Sequence, residues 1–153
     1  MNKYHLLSVL FLGFAFVSCG DNSAQKAAEV LLEQAESYFE QGRYDVALVK
    51  LDSLRTVYPN AIEVRKKALR LKQMIALKEA QEDLARTDSA LQAVNADYEY
   101  QRNKVEKEKA ALNATQASLE MLARTKQKRD SLQVRFDTQC ATIKYIHKRQ
   151  KED

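Results

Sequence analysis

The pattern of apolar and polar positions changes character twice along the chain. Residues 6–17 (LLSVLFLGFAFV) are almost wholly apolar. From Gln25 onward, apolar residues recur at spacings of three and four, the period of a helix with one buried face. From Leu77 a second regularity appears: Leu77, Leu84, Leu91, Tyr98, Val105, Leu112 and Leu119 stand seven residues apart without a gap. Such a line is one half of a coiled-coil seam, because it keeps the same helix face turned to a partner. The companion line, three places on, is poorer: Ala80, Thr87, Val94, Gln101, Glu108, Thr115 and Leu122. Its polar middle predicts a marginal coiled coil, pairing within the chain, between chains or with a partner protein.

Helix breakers sharpen this reading. The chain has three glycines and one proline, and none of either from residue 60 to residue 153. A β-rich domain needs turn residues every ten or so positions, so the expected fold is all-α. Gly42-Arg43-Tyr44 marks a turn between two helices, and Pro59 ends the second. A third helix is expected from Asn60, whose spacing to Glu63 is that of a capping box. Its first turns, with Val64, Ala68 and Leu71, could cover the open face of the preceding hairpin. A break is expected at residues 126–129, because Asp130 and Gln133 again have capping spacing and a new register follows in Leu132, Phe136, Ile143 and Ile146. The last helix either folds back on the long one or continues it. The expected organisation is a leader over 1–18, a tether over 19–24, a helical hairpin over 25–59, a long coiled-coil-like helix over 60–129 and a basic helix over 130–153.

Residues 28–59 resemble one tetratricopeptide repeat. Leu31, Ala35, Tyr38, Ala47, Leu51 and Pro59 fall where the family places large, small and aromatic residues in its first helix, then alanine, a large residue and proline. The chain departs from the pattern at Leu31, where tryptophan is usual, and at Gln34, where leucine is usual. Physics supports a hairpin without the family name, an unrelated one remaining the alternative. Ala35 and Ala47 let two helices approach, while Tyr38, Tyr44, Leu51 and Leu54 supply bulk around them. A lone hairpin cannot bury its own apolar face, so the resemblance implies protein interaction. It carries over no ligand residues.

The N-terminus reads as an export signal, with Lys3 before the apolar stretch. Twelve residues rise about 18 Å as a helix, short of the roughly 30 Å hydrocarbon core. The stretch ends Phe16-Val17-Ser18-Cys19, which resembles the lipobox of bacterial lipoproteins, with Phe16 in place of the usual leucine. The resemblance implies cleavage before Cys19, palmitate-type acyl chains on that residue, and stable anchoring, since two or more chains hold where one does not. The alternative is an ordinary secretory signal with an incidental cysteine. Gly20 after the cysteine, in place of aspartate, leans towards an outer membrane through the same resemblance. Outer-membrane assembly lipoproteins, which join a lipobox to several tetratricopeptide repeats, are a partial analogy only.

Charge and chemistry narrow the function. The formal net charge of +4 is uneven: residues 19–62 hold four basic and seven acidic residues, residues 63–153 twenty and fourteen. Residues 124–151 carry nine cations against Asp130 and Asp137. Such a segment is either a solvated helix face or a grip on an anionic surface. Nucleic acid is disfavoured by export and by the lack of aromatic platforms among the cations. Beyond the leader the chain has one histidine, His147, and, apart from Cys19, one cysteine, Cys140. That is too few for a usual zinc or copper site, and no glycine-rich loop could cradle phosphate. No cofactor, metal or catalytic residue is expected. Cys140 shares a helix face with Phe136 and Ile143, where packing competes with an intermolecular disulfide. Glu63 with Lys67 and Glu82 with Arg86 are spaced for surface ion pairs.

Asp52-Ser53-Leu54, Asp88-Ser89-Ala90 and Asp130-Ser131-Leu132 resemble the Asp-(Ser/Thr)-apolar acceptor of an O-glycosylation system for exported bacterial proteins. Ordinary helix usage explains them as well. Asn113-Ala114-Thr115 has N-glycosylation spacing, discounted in a bacterial lipoprotein. The expected function is a membrane-anchored, non-enzymatic interaction module or scaffold of the bacterial cell envelope, with a protein partner or a second copy bound through its helices. The competing expectation is an electrostatic binder of an anionic envelope polymer or lipid surface through the basic C-terminal helix. In membrane fractionation with intact mass spectrometry, Cys19→Ala should leave the leader uncleaved and abolish the acyl mass. An unchanged mass would remove the anchor.

Overall fold

The computed structural model describes residues 20–152, with side chains from residue 23. The expected cleavage site and Cys19 lie outside the described residues. These form four helices and no strand: α1 (Gly20–Glu40), α2 (Tyr44–Val57), α3 (Ile62–Ala110) and α4 (Gln116–Glu152). The fold is all-α and built of helical hairpins. It divides into two compact units, meeting between Ile75 and Ala76 within α3.

The first unit is a three-helix core. On α1, Ala28, Leu32 and Ala35 are buried at spacings of four and three; α2 buries Ala47, Leu51 and Leu54; the start of α3 buries Val64, Ala68, Leu71 and Ile75. Each set is one helix face, so the period of the sequence becomes a shared interior. Ala28, Ala35 and Ala47 are fully inaccessible and let α1 and α2 approach, while Leu54, Leu71 and Ile75 fill the space between the helices. Leu31, Tyr38 and Tyr44 pack half-buried around this cluster. The Phe39 and Tyr44 rings lie 5.8 Å apart across the turn, and the Arg43 guanidinium sits 4.9 Å over the Tyr38 ring.

The α1–α2 turn is where Gly42 stands. The Gly42 N–H donates to the Phe39 carbonyl and the Arg43 N–H to the Tyr38 carbonyl, both at 2.9 Å. This bond pair requires a left-handed residue at its centre, and Gly42 has φ 71°. Pro59 is exposed in the turn before α3. That helix starts at Ile62 instead of Asn60: the Ala61 carbonyl accepts its first bond, from the Arg65 N–H at 2.9 Å. Glu63 turns to Lys66 at 2.8 Å, so the expected capping box gives way to an ion pair one turn along the helix. Likewise Arg86 pairs with Asp83.

The second unit joins the later part of α3 to α4. Two helices linked by residues 111–115 still touch far from that turn. Tyr98 lies under the Arg129 guanidinium at 4.1 Å, and Thr125 Oγ1, which donates to the Met121 carbonyl at 3.0 Å, stands 3.5 Å from Asp97 Oδ2. They therefore run antiparallel as a hairpin. The break expected at residues 126–129 is absent, because α4 runs unbroken from Gln116 to Glu152. Asp130 is no cap; it binds the Arg129 guanidinium at 2.7 Å. The cap is Thr115, whose Oγ1 accepts from the Ser118 N–H at 3.1 Å.

This turn also cuts the seven-residue line. Leu91 and Val105 are buried, and Leu77, Leu84 and Tyr98 are half-buried. Leu112 lies in the turn, 95% exposed, and leaves the expected seam. Leu119 belongs to α4. The companion line contributes more than its composition suggests, with Thr87 and Val94 buried. A helix packed on one neighbour buries a stripe and not a single line.

Two substitutions test this account by thermal or denaturant unfolding. Leu54→Ala should lower stability by about 2–5 kcal/mol, the cost of a cavity in a packed interior. Gly42→Ala should cost on the order of 1–2 kcal/mol. No atom lies within 4 Å of the added Cβ, so that cost is conformational alone.

Candidate functional site

The first unit keeps an open groove of about 610 Å³ between α2 and the start of α3. Its α2 wall is Leu51, Asp52, Leu54 and Arg55; its α3 wall is Ile62, Arg65, Lys66, Ala68, Leu69 and Lys72. The floor is the outer edge of the core, because Leu51, Leu54 and Ala68 are buried. Ile62 and Leu69 do not join that core. They stand two turns apart on α3 and are 60% and 47% exposed. They form a second apolar stripe beside Val64, Ala68, Leu71 and Ile75.

The rim is cationic, with Arg55, Arg65, Lys66 and Lys72 around the single acid Asp52. Three of the cations are already positioned. Lys72 Nζ reaches across the groove to Asp52 Oδ1 at 3.2 Å. Arg65 Nη1 donates to the Pro59 carbonyl at 2.6 Å, and Lys66 Nζ meets Glu63 Oε1 at 2.8 Å. These contacts are exposed, so each stabilises the fold little. They hold the side chains beside an apolar floor, where a ligand carboxylate could exchange with Asp52 or Glu63. The groove suits an elongated amphipathic ligand with acidic flanks.

The periodicity drew attention to the faces that build the core and missed the groove beside them. The usable signal was the spacing of Ile62 to Leu69, flanked by Arg65 and Lys72 at the same interval.

The other singled-out residues stay dispersed. His147 is exposed, with Nδ1 3.3 Å from Gln150 Oε1. Cys140 is a half-buried free thiol. Among the described residues, no group of three or more His, Cys, Asp or Glu could hold a metal ion. The three Asp-Ser triplets lie within helices, and the Ser53 and Ser89 hydroxyls donate to the Val49 and Ala85 carbonyls at 2.9 and 3.0 Å. The cations of α4 do not form one stripe. At about 100° per residue, Arg124, Lys128 and Arg135 flank one side of its buried face, and Lys126, Lys144, Lys148 and Lys151 the other. Arg129 lies over Tyr98; its hydrogen bond to Asp130 is the main reason its guanidinium pKa is raised.

Compared with known proteins, the chain matches no protein-family model, no curated protein sequence and no solved structure. Among the described residues, no helix is long and apolar enough to cross a membrane.

The Glu63 carboxyl, paired with the rim cation Lys66, titrates in a definite sense. The hydrogen bond and charge of Lys66 lower the Glu63 pKa below its ordinary 4.5. A lowered carboxylate pKa means that the pair's stabilisation is present above the unfolded value and lost as pH falls through the folded one. An NMR titration of the Glu63 carboxyl should give a midpoint below 4.5, and Lys66→Ala should raise it. A midpoint that ignores Lys66 contradicts the pairing.

Proposed function

We propose that this chain is a lipid-anchored, non-enzymatic interaction module of the bacterial cell envelope that receives a helix of a partner protein in the α2–α3 groove. The observation that carries the reading is an apolar floor, continuous with the core, inside a rim of four cations and one acid. A helix is the fitting occupant because the two walls are helices, and a third helix can pack its ridges into the groove between two others. Acidic flanks on that helix would meet Arg55, Arg65, Lys66 and Lys72. The tetratricopeptide resemblance points the same way, since one repeat with a covering helix leaves a face that a further helix would occupy in a longer array.

The anchoring half rests on the sequence, where Cys19 follows an apolar stretch and a small residue. Acylation there would confine the module to a membrane surface and raise its effective concentration for a partner on the same membrane.

A second reading gives the α4 cations to an anionic polymer or lipid surface. It is favoured by the exposure of Lys126, Lys144, Lys148 and Lys151 along one flank. Binding of that kind weakens steeply with salt, whereas burial of an apolar face on the groove floor leaves a part that persists at high salt.

A photo-cross-linking side chain at Leu69, with Val134 as the remote control, separates these readings in the cell that makes the protein. The groove reading expects one discrete protein adduct from position 69 and not from 134, lost when Ile62 is changed to Asp. The same adducts from both positions, or none from 69, would overturn it.

A further inference from the structure

Two helices of this chain end in the same pair of hydrogen bonds. After α1 the left-handed residue between them is Gly42; after α3 it is Leu112, with φ 55°. There the Leu112 N–H donates to the Lys109 carbonyl at 3.0 Å and the Asn113 N–H to the Glu108 carbonyl at 2.9 Å. A side chain in this region crowds its own backbone, so leucine holds the turn against its preference. Nothing compensates on the side-chain face, because Leu112 is 95% exposed.

Its neighbours favour a straight helix. Ala110, Ala111 and Ala114 are the best helix-forming type. The seven-residue line of α3 runs up to the turn, from Leu91 through Tyr98 and Val105 to Leu112. The interior that keeps the hairpin closed is thin. It buries Thr87, Ser118 and Thr125 beside Leu91, Val94 and Val105, and it leaves Glu108 Oε2 and Gln139 Oε1 without a hydrogen-bond partner. Opening such a hairpin costs little compared with opening a dry apolar core.

We infer that the second unit exchanges α4 with a second copy of this chain. Residues 111–115 become helical, α3 joins α4, and each α3 takes the partner copy's α4 where its own had packed. The interior is the same in both states, since Asp97 with Thr125 and Tyr98 with Arg129 reform between chains. Only the hinge differs. The closed monomer holds Leu112 left-handed and in water; the exchanged dimer returns it to helical geometry on the face that carries Leu91, Tyr98 and Val105. The hairpin register centres on the turn, so the two Leu112 side chains come together near the two-fold axis. Exchange of identical elements is an economical route to a dimer because almost every contact already exists. The inference does not depend on the groove, which lies in the other unit.

The test uses the full chain in detergent, with Cys19 and Cys140 changed to Ser and cysteines introduced by Asp97→Cys and Thr125→Cys. A short bis-maleimide bridges the two thiols within one chain of a closed hairpin and between chains of the exchanged dimer. On a denaturing gel the exchange gives a covalent dimer whose share rises with protein concentration before cross-linking. Adding Leu112→Gly relieves the monomer's turn and weakens the straight helix, so the association constant should fall at least about 100-fold. Ala114→Pro, which bars a continuous helix, should abolish the dimer while circular dichroism keeps its helical signal. Bridging confined to monomers at every concentration would overturn the inference, and so would a dimer indifferent to both substitutions.

Discussion

Everything in the first unit depends on how closely α1 and α2 can approach. Ala28, Ala35 and Ala47 have no accessible surface, so no side chain holds the two backbones apart. That approach lets Leu51 and Leu54 of α2 reach Leu71 and Ile75 of α3 and close one interior from three helices. Burying side chains of this size stabilises by roughly 1.5–3 kcal/mol each before entropy is counted. The groove is a by-product of the same geometry. Because α3 turns Val64, Ala68, Leu71 and Ile75 inward, Ile62 and Leu69 stand off that line and stay open. A groove whose floor is the core itself would need little ordering to receive a ligand.

The second unit follows another rule. It has one neighbour per helix, so it can bury only a stripe, and that stripe mixes Leu91, Val94 and Val105 with Thr87, Ser118 and Thr125. Polar side chains in such a seam cost when they lose water and gain only modestly when they find partners. The Tyr98–Arg129 stack and the Thr125–Asp97 contact fix register more than they add stability. The first unit is thus closed by an apolar interior, the second by a thinner and more polar seam.

The legible parts of the sequence were those governed by local rules. Scarce glycine and proline implied helices, the spacing from Ala28 to Pro59 implied a hairpin, and Gly42 marked its turn because a left-handed residue was needed there. The α3–α4 turn was hidden for the converse reason. Its left-handed residue is Leu112, its cap is Thr115, and the seven-residue line runs straight through it. Asp130 and Gln133 offered a more conventional cap in the wrong place. The groove was hidden because exposed Ile62 and Leu69 matter only when a neighbouring helix supplies the opposite wall. Cys19 and its apolar leader remain a statement of the sequence alone.

The central claim is that one unit carries a firm core under its groove and the other a hairpin poised to open. Native-state hydrogen exchange on the full chain tests this most directly. The account predicts that amides of Leu51, Leu54, Leu71 and Ile75 exchange only when the whole first unit opens. Amides around Tyr98, Val105 and Thr125 should exchange faster, by at least about 10-fold, through local opening. Equal protection in the two units, or slower exchange around the hinge than in the core, would contradict it.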